Sequence, residues 1–571
     1  MSIYSVDALA TAPAATTPAR LPRLDVMVGV GLLIVAGIVG LATAADYGLT
    51  IDEFNTDDYG PKALAWYTSL GADRSHFEDV EQFLWYYGPW NQILIAFVQS
   101  LDIADPIAVR HALTFLTGLA GLAALIPIAR LSVGAWAGPI AILLCLVTGY
   151  FYGSLFFTPI DVPFMAAMTW ATWAILAMAR TEIPGWPAII AAGLFTGLAM
   201  ATRTGGVITH AYLLGAIGLC ALEALIRYGH KASKSLLQIA GRTLAAIVLA
   251  WITTIALWPW LQIGNPIRQF AIAHAYFMHS TLSFDFPSWG RMVRTDALPW
   301  TYVPEQLLAR LPEVFLLLLA LAIVLGVVIL IRWGWACLAG IYEGGITGLK
   351  SPALLLARAR LPVVVAVAAI GPIAVVIVLH TPHYDGIRHL LFVIPMLALV
   401  AGGALLEVAP FLRRYRSFAG ALLLMAAVHV GSTVVTMLRL HPLEYVAMNA
   451  LAGGTRNAAG RFELDYWGAA ATEAVRMLER RLDADRSGTF ASQPPRVYVC
   501  VNDREWAADD IFRRSWMLAE EPTEADFIIE TERWPCAQGM QAVLIDQVER
   551  FGVSFARIYG YNRGRALAKN P

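Results

Sequence analysis

The sequence predicts a mainly α, polytopic membrane protein of about eleven transmembrane helices with a small extracytoplasmic α/β domain at its C-terminal end. Three observations predict it. Of 571 residues, 58% are of the AVILMFWYC type and only 15% are charged, against about 25% charged in soluble globular proteins. The charge is unevenly spread: 35 of the 131 residues from His441 to Pro571 are charged, but only 48 of the first 440. Finally, the first 440 residues hold about eleven stretches of largely apolar residues, each near the ~20 residues needed to cross roughly 30 Å of hydrocarbon. An ordinary soluble enzyme is excluded. With 42 acidic and 41 basic residues, a net of −1, no field is available to attract a polyanion, which excludes nucleic acid as a partner.

Residues 1–23 are Ala/Thr/Pro-rich and are expected to be a disordered cytoplasmic N-terminus. A transmembrane domain is expected over 24–440, with spans near 24–45, 107–130, 134–154, 160–180, 186–203, 207–227, 238–260, 313–334, 360–380, 388–409 and 416–439. The first is long for the apolar region of a signal peptide, and no convincing small-residue cleavage site precedes Asp46, so it is expected to be retained. A twelfth apolar stretch, Phe83–Leu101, is broken by Gly88-Pro89 and carries Asn91 and Gln92 at its middle. In lipid those groups would be unpaired, so the segment is expected to lie along the interface, with Trp85, Tyr86, Tyr87 and Trp90 at headgroup level.

Eleven spans also satisfy the positive-inside bias. With the N-terminus inside, the cytoplasmic connections hold Arg20, Arg23, Arg130, Arg180, the run Arg227–Lys234, Arg332, Lys350, Arg358 and the pair Arg413-Arg414. Twelve spans would reverse the later loops. The outer loops are then 46–106 and 261–312, and residues 441–571 form a periplasmic α/β domain. In that domain Arg496–Val501, Phe527–Glu530 and Gln541–Ile545 read as strands, with helix expected near 505–519 and 468–482. Cys500 and Cys536 are its only cysteines. They are either a disulfide, which an oxidising compartment allows, or two buried thiols.

Ionisable residues are costly beside lipid, so their clusters are informative. The clusters that combine carboxylates with cations or histidines share the outer side. Thr50–Tyr59 carries the carboxylates Asp52, Glu53, Asp57 and Asp58, enough for a general base with a neighbour that tunes it, or for an acidic, solvated loop start. Asp161 stands between Pro159 and Pro163, either as a helix cap or as a site residue. The loop His380–His389 holds three histidines, Asp385 and Arg388, with Tyr384 between them. Arg388 and its neighbours Tyr384 and His389, at the start of a helix, suit a phosphate. Arg203 either faces the same cavity or anchors a helix end. His380 and His383 are weak metal candidates because their spacing matches no standard ligand pattern; no cofactor is assigned, and a divalent metal stays open. Glu463 and Asp465, near the membrane, either close over an acceptor, as Asp58 could, or cap the following helix.

Carboxylates and cations beside an apolar body suit a lipid-linked anionic substrate. A soluble nucleotide-sugar would call for a phosphate-binding strand-loop-helix, and no GxGxxG after a strand or GxxxxGK[ST] is present.

The TIDEF stretch around Asp52, the turn Asp161-Val162-Pro163, the segment YDGIRHLLFVIPMLALVAGG (Tyr384–Gly403) and the run EYVAMNALAGG to GRFELDYWG (Glu444–Gly468) together resemble bacterial members of the protein O-mannosyltransferase family. This is glycosyltransferase family 39 of the GT-C superfamily, which also holds the lipid A aminoarabinose transferases. The resemblance covers most of residues 24–470. It implies an inverting glycosyltransferase of the bacterial inner membrane that moves a sugar from a polyprenyl-phosphate carrier to an acceptor hydroxyl on lipid, polysaccharide or protein at the periplasmic face. It implies Asp52 as the general base, Glu53 as its partner, Asp161 as the acidic position of the second outer loop, and Arg388 as the cation near the carrier phosphate. The competing class is a transporter or flippase of lipid-linked sugars, which would usually show internal repeats with broken helices at midplane. No such repeat is evident.

Overall fold

The computed structural model describes residues 23–279, 283–344, 350–485, 489–490, 492–501 and 516–569. The expected disordered segment at 1–22 and most of the helix expected near 505–519 lie outside them; Met517–Leu518, at the end of that stretch, is a short strand.

Each of the apolar stretches is helical. Among the described residues eight helical segments are long and apolar enough to cross a bilayer, and a bent pair makes a ninth. One of the eight, Thr204–Leu257, is too long for a single crossing. It reverses at Gly229–Ala232 into Ile208–Tyr228 and Ser233–Leu257. Trp186–Thr202 is shorter, at 17 residues, and runs beside Ser233–Leu257, where Thr254 donates to the Gly197 carbonyl at 3.2 Å. The chain is therefore a multi-pass membrane protein.

Position in the bundle follows composition. Asp161–Ala179 is buried on nearly every side, and its alanines and threonines let neighbours approach closely. Glu313–Arg332 and Arg416–Leu440 bury almost none of their residues, and theirs are the leucine- and valine-rich surfaces that lipid covers.

One expectation is corrected. The stretch 134–154 is not one straight span: Ala137–Leu146 and Gly149–Phe157 meet at 74°. Glycine explains the second half. A Cβ at Gly153 would stand 2.5 Å from the Tyr445 nitrogen, and one at Gly149 would stand 2.8 Å from the Ala447 side chain, so the bend seats this helix directly on Glu444–Val446. The segment expected along the interface packs on protein. It folds as Gln82–Trp85 and Trp90–Gln99. Gln92 donates to the Pro159 carbonyl at 3.1 Å, Asn91 accepts from Thr117 at 3.2 Å, and Tyr86 is buried against Trp260.

The loop 261–312 contains the helix Pro266–Met278, the hairpin β1 (Asp285–Ser288) and β2 (Arg291–Arg294), and the helix Tyr302–Arg310. The C-terminal segment forms a five-stranded sheet from β3 (Arg496–Cys500), β4 (Met517–Leu518), β5 (Phe527–Thr531), β6 (Val543–Arg550) and β7 (Val553–Gly560) in the order β4-β3-β5-β7-β6. β3 is parallel to β4 and β5, and β7 is antiparallel to β5 and β6. Phe551 and Gly552 both have positive φ, as a two-residue hairpin turn between β6 and β7 requires. Helix Ala470–Ala484 packs on the sheet, and Cys500 and Cys536 are joined as a disulfide.

This segment is tied to the bundle by hydrogen bonds that fix the chain just before Asp52. The Leu49 nitrogen donates to Thr472 Oγ1 at 3.0 Å, and the Ile51 nitrogen donates to the Trp467 carbonyl at 3.3 Å.

Candidate active site

Thr50 opens the helix Ile51–Thr56 with a capping box: its hydroxyl accepts from the Glu53 nitrogen at 3.3 Å, and the Glu53 carboxylate accepts from the Thr50 nitrogen at 3.1 Å. Glu53 is fully buried, and His111 Nε2 lies 2.9 Å from its Oε1. The box therefore turns Glu53 into the protein. Its neighbour Asp52, about 100° around the helix, turns into a cavity of about 1870 Å³.

Asp161 is the first residue of its helix, and Ile160 rather than Asp161 stands at the N-cap. The Asp161 carboxylate is ion-paired with Arg203. Arg203 follows directly on the helix end at Thr202, in extended backbone. That end is pinned by the first outer loop, where the Gly88 nitrogen donates to the Thr202 carbonyl at 3.4 Å. A Cβ at position 88 would stand 1.3 Å from the Ala201 oxygen. Gly88→Ala is therefore expected to part the loop from the helix end and destabilise the protein by about 1–3 kcal/mol, whereas Gly431→Ala, with open space around its Cβ, should be neutral. Melting temperatures of the two variants check this.

Arg388 begins the turn Arg388–Val393 that leads into Ile394–Arg414. It is ion-paired with Asp52, its Nη2 lies 3.1 Å from Asp385 Oδ2, and its guanidinium sits over the Tyr384 ring at 5.1 Å. Asp385 and Gly386 both have positive φ, 58° and 67°; the short polar side chain of aspartate tolerates this conformation and glycine adopts it freely. The turn rests on Arg310, which is itself held by Gln306 Oε1 at 3.0 Å and lies over the Tyr150 ring at 4.5 Å.

Asp52, Asp161, Arg203, Tyr384, Arg388, His389 and Glu463 thus share one cavity, and His383 lines it too. One flank is apolar, formed by Val207, Ile208, Pro372, Val375, Val376 and Leu379. Burial pushes the His383 ring down to about 4, so it is neutral near pH 7. Besides Glu53, buried beside His111, three candidates lie elsewhere. Asp58 is exposed and paired with Lys62 at 2.9 Å. Asp465 is buried and accepts from the Ala469 and Ala470 nitrogens at 3.0 and 3.2 Å, which makes it the cap of Ala470–Ala484. His380 is exposed, its Nδ1 facing the Val378 carbonyl. Among the described residues no three His, Cys, Asp or Glu gather as a metal-binding group. Guanidinium groups, rather than a shared centre, stand between the carboxylates.

The cavity also holds Asp385, which the sequence marks only as a member of the His380–His389 cluster, and Glu532, Arg533 and Trp534, which the sequence reading does not single out. The last three follow β5 directly, in the run Thr531-Glu532-Arg533-Trp534-Pro535. Charge and an aromatic at the end of a strand were the available signal. Burial pushes both Glu463 and Glu532 up to about 7, helped for Glu463 by Asp385 and Glu532 and opposed by Arg533, and helped for Glu532 by Asp465. A carboxyl raised in the folded state costs stability as pH climbs from its unfolded value, about 4.3, through the folded one. Glu463→Gln is therefore expected to raise the melting temperature at pH 8 and to leave it nearly unchanged at pH 4.5. A pH-independent difference would contradict this assignment.

No protein-family model and no curated protein matches the sequence. Among solved structures the chain is similar to ArnT from Cupriavidus metallidurans bound to undecaprenyl phosphate, with a TM-score of 0.45 and 16% identity over 93% of this chain and 97% of that one. The apo state of the same protein gives 0.46 and 14% over the same shares. The oligosaccharyltransferase AglB from Archaeoglobus fulgidus, in complex with an inhibitory peptide and a dolichol-phosphate, gives 0.44 and 12% over 88% of this chain and 69% of that one.

Proposed function

We propose that the protein is a GT-C-type, inverting membrane glycosyltransferase that moves a sugar from a polyprenyl-phosphate carrier to an acceptor hydroxyl at the periplasmic face of the bacterial inner membrane. One observation carries the reading: Arg388 stands between Asp52 and Asp385 in a cavity that has an apolar flank and a second carboxylate–guanidinium pair, Asp161–Arg203. The order of motifs along the chain supports it as well.

Transfer with inversion is a direct displacement. The acceptor oxygen bonds to the anomeric carbon, the bond from that carbon to the phosphate oxygen breaks, and the acceptor proton goes to a base on the face opposite the phosphate. Asp52 is that base. Arg388 receives the departing phosphate dianion, with bidentate geometry that suits it, and Arg203 adds charge on the same side. Asp52 and Arg388 are paired with each other before substrate arrives, so a phosphate that claims Arg388 also releases Asp52 to take the proton. Loading the donor and freeing the base are then one event. The apolar flank accommodates the first isoprene units of the carrier.

The outward orientation is supported by charge: Arg130 pairs with Asp25, and Arg360 with Glu223 and the Arg180 carbonyl, at the bundle end away from the sheet. The Cys500–Cys536 disulfide suits an oxidising compartment. The test is to incubate purified protein with candidate polyprenyl-phosphate sugars and acceptors and to identify free polyprenyl phosphate by mass spectrometry. Carrier release that depends on acceptor is expected; carrier that is bound but never consumed would overturn the reading.

A further inference from the structure

Arg388 faces two carboxylates at once, and a cation that neutralises two anions holds a phosphate poorly. Its partner Asp385 has a side chain only 5% exposed, so water does little to offset that carboxylate. Arg533 does so instead. Its Nη1 lies 2.6 Å from Asp385 Oδ1, the oxygen opposite the one that faces Arg388. The same Nη1 donates to the Tyr466 carbonyl at 2.8 Å, Nε lies 3.4 Å from Glu463 Oε1, and the guanidinium sits over the Phe284 ring at 5.0 Å. These contacts hold Arg533 against Asp385 from the sheet side of the cavity.

We propose that Arg533 is a positioning residue that carries the charge of Asp385, so that Arg388 is free to exchange Asp52 for the phosphate of a lipid carrier. The C-terminal segment thereby completes the site rather than only covering it. The inference rests on the reading of Arg388 as the carrier-phosphate cation. It has a sign that a merely structural contact lacks. Without Arg533, Asp385 falls wholly on Arg388 and competes with phosphate; removing the Asp385 charge in that background relieves the competition.

The experiment is a titration of the full-length protein in detergent micelles with undecaprenyl phosphate, read by tryptophan fluorescence. Arg533→Met is expected to weaken binding roughly ten-fold or more, and Arg533→Lys less. Adding Asp385→Asn to Arg533→Met should restore binding to within about three-fold of wild type, a coupling well outside additivity. A double variant that binds as weakly as Arg533→Met, or more weakly, overturns the proposal, as does unchanged binding by Arg533→Met. Should Arg533→Met fail to fold, Arg533→Lys with and without Asp385→Asn makes the same comparison. The two readings fail separately. Rescue of binding without any consumption of polyprenyl-phosphate sugar by the wild type would sink the transferase and leave Arg533 its role, and turnover without rescue would do the reverse.

Discussion

Asp52→Asn is expected to lower sugar transfer by roughly 10²–10⁴-fold, the range supplied by a positioned general base, while carrier binding is retained. The substitution is nearly isosteric, and the helix Ile51–Thr56 is capped through Thr50 and Glu53 rather than through Asp52, so the fold should survive. Asp52 is ion-paired with Arg388, and its loss removes a competitor for that cation. Binding of undecaprenyl phosphate should therefore tighten slightly as turnover collapses. That opposite movement marks a base rather than a binding residue. Acceptor-dependent release of polyprenyl phosphate, measured beside a carrier titration, reads both. Turnover within a few-fold of wild type would exclude Asp52 as the base.

Arg388→Met should be the most damaging substitution at the site. It leaves Asp52 and Asp385 without the guanidinium between them, and the Asp385 side chain is only 5% exposed. Removing one partner of a buried, hydrogen-bonded charge pair costs about 2–5 kcal/mol, equivalent to at least a thirty-fold loss of carrier affinity. Arg388→Lys should recover only part, because a single ammonium cannot span two carboxylates as a planar fork does. A melting curve for each variant separates loss of affinity from loss of fold. If Arg388→Met bound carrier as well as wild type, the phosphate would have to be held elsewhere in the cavity.

The membrane part of the fold was legible because hydrocarbon imposes one rule on every span: about 20 apolar residues with all backbone groups paired internally. What escaped was set by contacts distant in sequence. The bend before Gly149 follows from the packing of Gly149 and Gly153 on residues 444–447, and no local feature near 149 announces that partner. Asp52, Asp161 and Arg388 stood out because a charge at the edge of an apolar stretch is conspicuous. Arg533 and Glu532 did not, because in a charged segment they look like ordinary surface residues. For Glu53 the local signal was present and unread. Thr50 with glutamate three residues on is the sequence signature of a capping box, which accounts for the inward turn of that side chain and for the outward turn of Asp52. Asp465 was open between two roles, and the nitrogens of Ala469 and Ala470 give it the capping one.

The seam between Arg533 and Asp385 bears on how such a protein can be re-engineered. A chimera that keeps the helical bundle and receives a foreign terminus from residue 441 onward would retain every spanning helix yet lose the counter-charge for the loop at 380–389. Grafts should work only when both segments travel together, and the two should drift as a unit as the sequence diverges.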